Sequence, residues 1–408
     1  MKQYSEYKDS GVKWIGEIPS LWEVRKLKFL TQYMQSGDNL TSLQIKDNGT
    51  YPVYGGNGIR GYYEEKNCNK ECIVIGRQGA LCGNIHLIKR PIWATDHAVV
   101  TYANENTDIS YLSYLTSAMN LNQYASQTAA QPGIAVSFIK NVMTCFPPLT
   151  EQQTIAFYLD TKVSKIDNYI ATAEKKIAAL DELKQVTIAD AVTHGINPNA
   201  PMKDSGIPWI GMVPEHWKLT RIKFLFNEIS EKEHPEEPCL CSTQKYGVIP
   251  QSMYENRVVV VNKGLENLKF VRKGNFVISL RSFQGGIEIA HYQGIISAAY
   301  TILSLGNKNI SSNYIKYLFK SSPFIQLLQT CVTGIREGQN INYELLRRQF
   351  IPIPTLSQQN EIVAYIDRKV AQIDKMKASE LAQIEKLKEY KQRLISDVVT
   401  GKVKVTND

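Results

Sequence analysis

The sequence has no run of about 18 consecutive apolar residues, so nothing in it reads as a membrane-crossing helix. Its start, Met1-Lys2-Gln3-Tyr4-Ser5-Glu6, lacks the apolar core of a secretory signal, and a cytoplasmic location is expected. Cysteines are few, seven in 408 residues, and odd in number. Cys68 and Cys72, and Cys239 and Cys241, are close in sequence, but no Cys-x-x-Cys pair has a matching second half. Neither a metal site nor a disulfide is therefore assigned. Signatures of self-contained catalysis are also missing: no His-Glu-x-x-His, no phosphate loop ending in a lysine, no Gly-x-Ser-x-Gly and no Asn-Pro-Pro-aromatic sequence. The glycine-rich run from Tyr54 to Tyr62 has neither spacing of a nucleotide-binding loop. Asp96-His97 has no companion nucleophile motif, so His97 reads as a core or hydrogen-bonded histidine, and Glu64-Glu65 and Glu236-Glu237 read as solvated charges. These absences describe a binding protein with no catalytic residue, metal or cofactor of its own.

What the chain does have is repetition. Asp9-Ser10-Gly11-Val12-Lys13-Trp14-Ile15-Gly16 with Pro19 and Trp22 returns as Asp204-Ser205-Gly206-Ile207-Pro208-Trp209-Ile210-Gly211 with Pro214 and Trp217, at an offset of 195 that also relates Lys28-Phe29-Leu30 to Lys223-Phe224-Leu225. Leu149-Thr150-Glu151-Gln152 with Asp160 and Asp167 returns as Leu356-Ser357-Gln358-Gln359 with Asp367 and Asp374, at an offset of 207. The stretch between the repeated segments is thus twelve residues longer in the second copy. A duplicated frame around unlike inserts suits reading two different things at a fixed distance.

Each insert ends in a proline-rich stop followed by a long amphipathic segment. Apolar residues step by three and four through Ile155, Leu159, Val163, Ile166, Ile170, Ile177 and Leu180. The partner series is Ile362, Ile366, Val370, Ile373, Ile384, Leu387 and Leu394, interrupted by Lys377 and Glu380. Thr150 with Gln153 is placed as a capping box, and Ser357 with Asn360 as a weaker one. Gly195 and Gly401 stand where left-handed helix ends are expected. About forty residues at ~1.5 Å each make a rod of roughly 60 Å. Two copies of one unit most simply pack about a pseudo-twofold axis, which makes these coiled-coil helices antiparallel. The inserts read as mixed α/β, with strands at Cys72–Ile75, Ala98–Thr101, Val258–Val261 and Phe276–Leu280. Tyr111-Leu112 and Tyr314-Ile315 mark following helices at an offset of 203, so the inserts share a fold.

Candidate contact residues lie in the insert loops. Arg77 and Gln78 follow the strand at Ile75, and Arg281, Ser282 and Gln284 follow the strand at Leu280. Long donors among glycines suit guanine and adenine edges or phosphates. Asn57 and Arg60, between Tyr54 and Tyr62, have the same character, although a plain glycine-rich hairpin accounts for that run equally well, and Gln131, Lys245, and Arg336 with Gln339 stand in other polar loops. Net charge is +8. Residues 31–147 hold eight Lys or Arg against eight Asp or Glu, and residues 226–350 hold fourteen against ten.

The chain resembles the specificity subunit of type I restriction-modification systems over essentially its whole length. The resemblance rests on Val192-Thr193-His194-Gly195-Ile196-Asn197-Pro198 leading into Lys203-Asp204-Ser205-Gly206 and Trp209, on Pro148 to Gln153, and on the Gly76 to Asn84 loop with Trp93-Ala94-Thr95-Asp96-His97-Ala98. It implies an α+β protein: two mixed α/β target-recognition domains separated by two long antiparallel coiled-coil helices with an internal pseudo-twofold repeat. The divisions are 1–149, 150–195, 196–356 and 357–408. The implied partners are double-stranded DNA, two methyltransferase subunits and motor-nuclease subunits. The implied chemistry is adenine methylation and DNA cleavage, with S-adenosylmethionine, ATP and Mg held by those partners and none by this chain. A coiled-coil adaptor that assembles an enzyme without touching nucleic acid is the alternative.

Overall fold

The repeated Asp-Ser-Gly motif folds as a hairpin in both copies. Tyr7–Asp9 pairs antiparallel with Glu17–Pro19, and Met202–Asp204 with Met212–Pro214. The aspartate side chain accepts the amide of the glycine two residues on, Gly11 to Asp9 and Gly206 to Asp204, each at 2.9 Å. Both glycines sit at φ +67°, where a side chain costs about 1–2 kcal/mol. The computed structural model describes residues 3–79, 82–125, 133–255, 264–334 and 339–405. The expected strand at Val258–Val261 lies outside the described residues. The chain divides into two compact units, one of residues 1–173 and 381–408, the other of residues 174–380. The architecture is mixed α+β.

In the first unit, strands β1 (Thr31–Ser36), β2 (Cys72–Gly76), β3 (Ile85–Ile88) and β4 (Ala98–Ala103) form an antiparallel sheet in the order β1-β4-β2-β3. Helix α1 (Ile109–Ala118) follows, with Asp108 capping its start by accepting the Tyr111 amide at 2.8 Å. In the second unit, β5 (Phe226–Ile229), β6 (Phe276–Ile278), β7 (Glu288–Ile289) and β8 (Thr301–Leu305) form an antiparallel sheet in the order β5-β8-β6-β7. The order is the same, and the inserts are two versions of one fold.

Two long helices, α2 (Leu149–Thr193) and, after α3 (Ser312–Lys320), α4 (Leu356–Val399), contribute a part to each unit. In the first unit Ile155, Leu159, Val163, Ile166 and Ile170 of α2 and Ile384 and Leu394 of α4 are buried, with Leu387 half-buried. Lys391 donates to Asp167 at 2.6 Å. The last carbonyl of α4, that of Val399, accepts Tyr111 Oη at 3.3 Å and Cys145 Sγ at 3.0 Å, four residues before α2 begins. In the second unit Leu180, Ile362, Ile366 and Ile373 are buried, and Ile177 and Val370 half-buried. There Lys184 meets Asp374 at 2.8 Å, and Lys176 meets Glu380 at 2.5 Å. Within each unit the two helix segments therefore run in opposite directions. Lys377 and Glu380, which break the apolar series, are ion-pairing residues, since Lys377 meets Asp181.

The junction of helix and insert is also made twice. Tyr314 Oη contacts the carbonyls of Val192 and Pro352, both at 3.0 Å, where Tyr111 Oη contacts those of Val399 and Cys145. Tyr114 and Tyr317 donate to Asp160 and Asp367. Gly195 and Gly401 end the helices at φ +80° and +77°, against Trp217 and against Pro19 and Trp22.

The capping boxes fall elsewhere than the sequence suggests. Thr150 is already helical, and the amides of Glu151 and Gln152 go to the Pro148 carbonyl, each at 2.9 Å. In the second copy the box is Thr355 with Gln358, while Ser357 donates to Glu361. The repeated glutamine does the larger job. Gln152 is fully buried, donating to Pro147 O (2.9 Å) and Asn106 O (3.2 Å) and accepting from Asp108 N (2.9 Å). Gln359 does the same with Pro354 O, Asn309 O and Ser311 N. The change from Glu151 to Gln358 follows its neighbours: Glu151 accepts from Tyr4 and Trp22, whereas Gln358 donates to His216 at 2.7 Å.

Candidate nucleic-acid interface

In the first unit a hairpin of Tyr51–Gly55 and Gly58–Tyr63 brings its tip against the loop after β2. A Cβ on Gly55 would lie 2.5 Å from Arg60 Cδ, and one on Gly56 would lie 2.5 Å from the Gln78 carbonyl oxygen. The backbone contact at Gly56 leaves room only for glycine. Asn84 donates to Asn57 Oδ1 at 2.7 Å, and Gln78 bridges to Gly133. Asn57, Arg60 and Gln78 are exposed around this tip. Tyr54 is half-buried against His86, with ring centres 6.1 Å apart. Burial pushes the His86 imidazole below its ordinary value, and its Nε2 has no hydrogen-bond partner among the described residues. Arg77 is half-buried, donating to Ser36 Oγ (3.1 Å) and the Asp96 carbonyl (3.4 Å), so part of its donor capacity is spent on the fold.

The second unit repeats the arrangement with different side chains. A hairpin of Leu240–Thr243 and Gly247–Pro250 carries Gln244, Lys245 and Tyr246 at its tip, and the turn after β6 packs beneath it. A cavity of about 350 Å³ opens between them, lined by Gln244, Lys245, Arg281, Ser282 and Glu288 among others. Lys245, Arg281 and Gln284 are exposed. Ser282 is buried, and its hydroxyl accepts the Ser279 amide at 2.9 Å, which makes it a part of the turn. Packing requires glycine at Gly286, which sits at φ +87° with the Phe319 carbonyl 2.3 Å from where a Cβ would lie, while a Cβ on Gly285 would press on the Gln244 side chain. Gln339 is exposed beside the paired segments Val332–Thr333 and Asn340–Ile341. Gln131 and Arg336 lie outside the described residues.

Sequence reasoning passed over Glu288. It interrupts the apolar run Ile287-Glu288-Ile289, and a charge at a strand position facing inward was the available signal. Burial pushes its carboxyl up to about 7, against the lowering effect of Lys320 beside it. A second cavity of about 520 Å³ is lined by Lys245, Tyr246, Tyr254, His291 and Tyr292 among others. All seven thiols are free; Cys68 and Cys72 pack in the core with Val74 and Ile88, and contact with Cys68 together with burial holds the Cys72 thiol far above its ordinary value. No group of three or more His, Cys, Asp or Glu among the described residues is placed to hold a metal ion, and no described helix is long and apolar enough to cross a membrane.

The model of the type I restriction modification DNA specificity domain matches residues 19–181 and again 214–386. The chain belongs to that family. The two matches follow the duplication read in the sequence and the two equivalent sheets. Among type I specificity subunits, the EcoprrI protein of Escherichia coli is 37% identical over 183 residues, a match covering 43% of this chain and 43% of that one. The MjaVIII specificity subunit of Methanocaldococcus jannaschii is 25% identical over 418 residues, covering 96% of this chain and 95% of its own. A solved structure described under complex assembly and conformational transition of the type I restriction-modification system shares the fold, with a TM-score of 0.66, 15% identity, and coverage of 94% of this chain and 98% of that one.

Proposed function

We propose that this chain is the DNA-reading subunit of a type I restriction-modification complex. Each insert reads one half of a bipartite, asymmetric duplex site. The paired helices α2 and α4 act as a coiled-coil spacer that fixes the distance between the halves and docks two methyltransferase subunits, which motor-nuclease subunits join. Adenine methylation with S-adenosylmethionine and ATP-driven cleavage belong to those partners; this chain supplies position and sequence choice. The observation that carries the reading is the pair of identically ordered sheets whose corresponding loops present unlike donors, Asn57, Arg60 and Gln78 in one and Lys245, Arg281 and Gln284 in the other. A shared scaffold with unlike edge-reading groups is what two unlike half-sites require. Exposed aromatic residues on the helices, Phe157, Tyr169 and Tyr390, support the docking role.

Seven residues are two helical turns, roughly 10 Å of rise. Removing matched seven-residue segments from α2 and α4 shortens the preferred gap by about 3 base pairs at ~3.4 Å each and leaves both half-site sequences as they were. Methylation at an unchanged spacing would refute the spacer. A protein-only adaptor is separated by titrating duplex at rising salt, because a fall in affinity with salt marks phosphate contacts that an adaptor lacks.

A further inference from the structure

Corresponding ladder positions of the two sheets hold very different residues. In the first, Val100 pairs with Val74, which pairs with His86. In the second, Ile302 pairs with Val277, which pairs with Glu288. Val74 and Val100 belong to the hairpin-side core of the first insert as Val277 and Ile302 belong to that of the second. Glu288 thus stands where the first insert has His86, a carboxylate in place of an imidazole. A buried carboxylate is costly to keep for stability alone, since an apolar residue generally serves a fold as well.

The surroundings show what that carboxylate is available for. Its side chain is 7% exposed, and it lines the cavity of about 350 Å³ beneath Lys245 and Arg281. Lys320 Nζ donates to Glu288 Oε1 at 2.5 Å and to the Gln244 carbonyl at 3.2 Å, which fixes the carboxylate to the hairpin tip. Oε2 has no protein hydrogen bond among the described residues. The exposed cations at the rim attract phosphate or a guanine edge. A phosphate entering further would meet the carboxylate, so the interior selects an uncharged hydrogen-bond donor. On the edge of a base pair in the major groove, that donor is an exocyclic amino group.

We propose that Glu288 is a specificity-determining residue of the second insert, its free carboxylate oxygen accepting a hydrogen bond from the exocyclic amino group of a cytosine or adenine presented to the cavity. This rests on the reading of the inserts as DNA-contacting. The corresponding position of the first insert carries the His86 imidazole in place of a carboxylate, so the two half-sites differ at the base this position faces.

The test uses the full chain assembled with its methyltransferase partners at pH 8. Duplexes with the first half-site fixed and the second randomised are selected by the wild type and by Glu288→Gln. The variant is expected to lose about tenfold discrimination at one position of the second half and to keep the others. At that position, replacing the base by its analogue without the amino group (2-pyrimidinone or purine) weakens wild-type binding and leaves the variant indifferent. Unchanged preference at every position overturns the role of Glu288. So does an even loss at all positions, which would make the ion pair with Lys320 purely architectural. A wild-type chain without any base preference in the second half contradicts the DNA-reading function itself, a result distinct from both.

Discussion

Replacing Gln152 by Leu, nearly the same volume without the amide, removes the link between the start of α2 and the cap of α1. Three hydrogen bonds are lost, to Pro147 O, Asn106 O and Asp108 N. They do not weigh equally. The contact with Pro147 is buried, so its carbonyl is left without a partner, at a cost of about 1–3 kcal/mol. The Asp108 amide is partly buried and adds roughly 1 kcal/mol, while Asn106 is exposed and its carbonyl recovers water. The expected loss is about 2–4 kcal/mol, a large fraction of the ~5–15 kcal/mol that holds a domain folded. Gln359→Leu in the second unit is expected to cost a similar amount, because Pro354, Asn309 and Ser311 take the corresponding places. Urea unfolding measures the size, and hydrogen exchange at Asp108 and through the first turn of α2 measures the location. A loss below about 1 kcal/mol with unchanged exchange at Asp108 would show that the glutamine does not join helix to insert, and the reasoning would fail.

Ala at Gly401 is expected to destabilise more than Ala at Gly195, since both sit at positive φ but the new Cβ would meet Pro19 Cδ at 2.4 Å in one case and the Trp217 ring at 3.2 Å in the other; thermal unfolding ranks them. Arg281→Ala is expected to reduce binding at the second half-site about tenfold or more with little change in melting temperature, whereas Arg77→Ala lowers both affinity and stability because Arg77 also holds Ser36 and the Asp96 carbonyl. With its folded-state carboxyl pushed up to about 7 by burial, Glu288 favours the native state while protonated. That contribution is complete below the ordinary carboxylate range and is lost as pH rises through about 7, so the second unit weakens across that window and Glu288→Gln flattens the slope in unfolding measured from pH 4.5 to 8.

Much of this molecule is legible in its sequence, because a duplication exposes whatever both copies keep. The helix stripes, the terminal glycines at 195 and 401 and the matched helices at Tyr111 and Tyr314 all follow from offsets and periodicity. What stays hidden is where each helix ends in space. Val399 meets Tyr111 and Cys145 across separations of 288 and 254 residues, and Val192 meets Tyr314 across 122; no local pattern records such a pairing. The caps fall elsewhere than local rules place them for a related reason. Local rules put a Thr or Ser before the first turn, but the proline stop shifts the α2 start to Leu149 and gives the decisive contacts to Gln152, whose partners lie 44 to 46 residues upstream or at Pro147. In the loops, residue type alone does not separate an exposed candidate contact from a brace: exposed Arg281 and the Ser282 that builds its turn are adjacent in sequence.

The central claim is that two versions of one scaffold read two different half-sites. It is tested most directly by replacing residues 226–350 with a copy of residues 31–147 and sequencing the methylated positions in a host that carries the variant. The account predicts that the asymmetric motif becomes an inverted repeat of the first half-site at unchanged spacing. Persistence of the original asymmetric motif would contradict it.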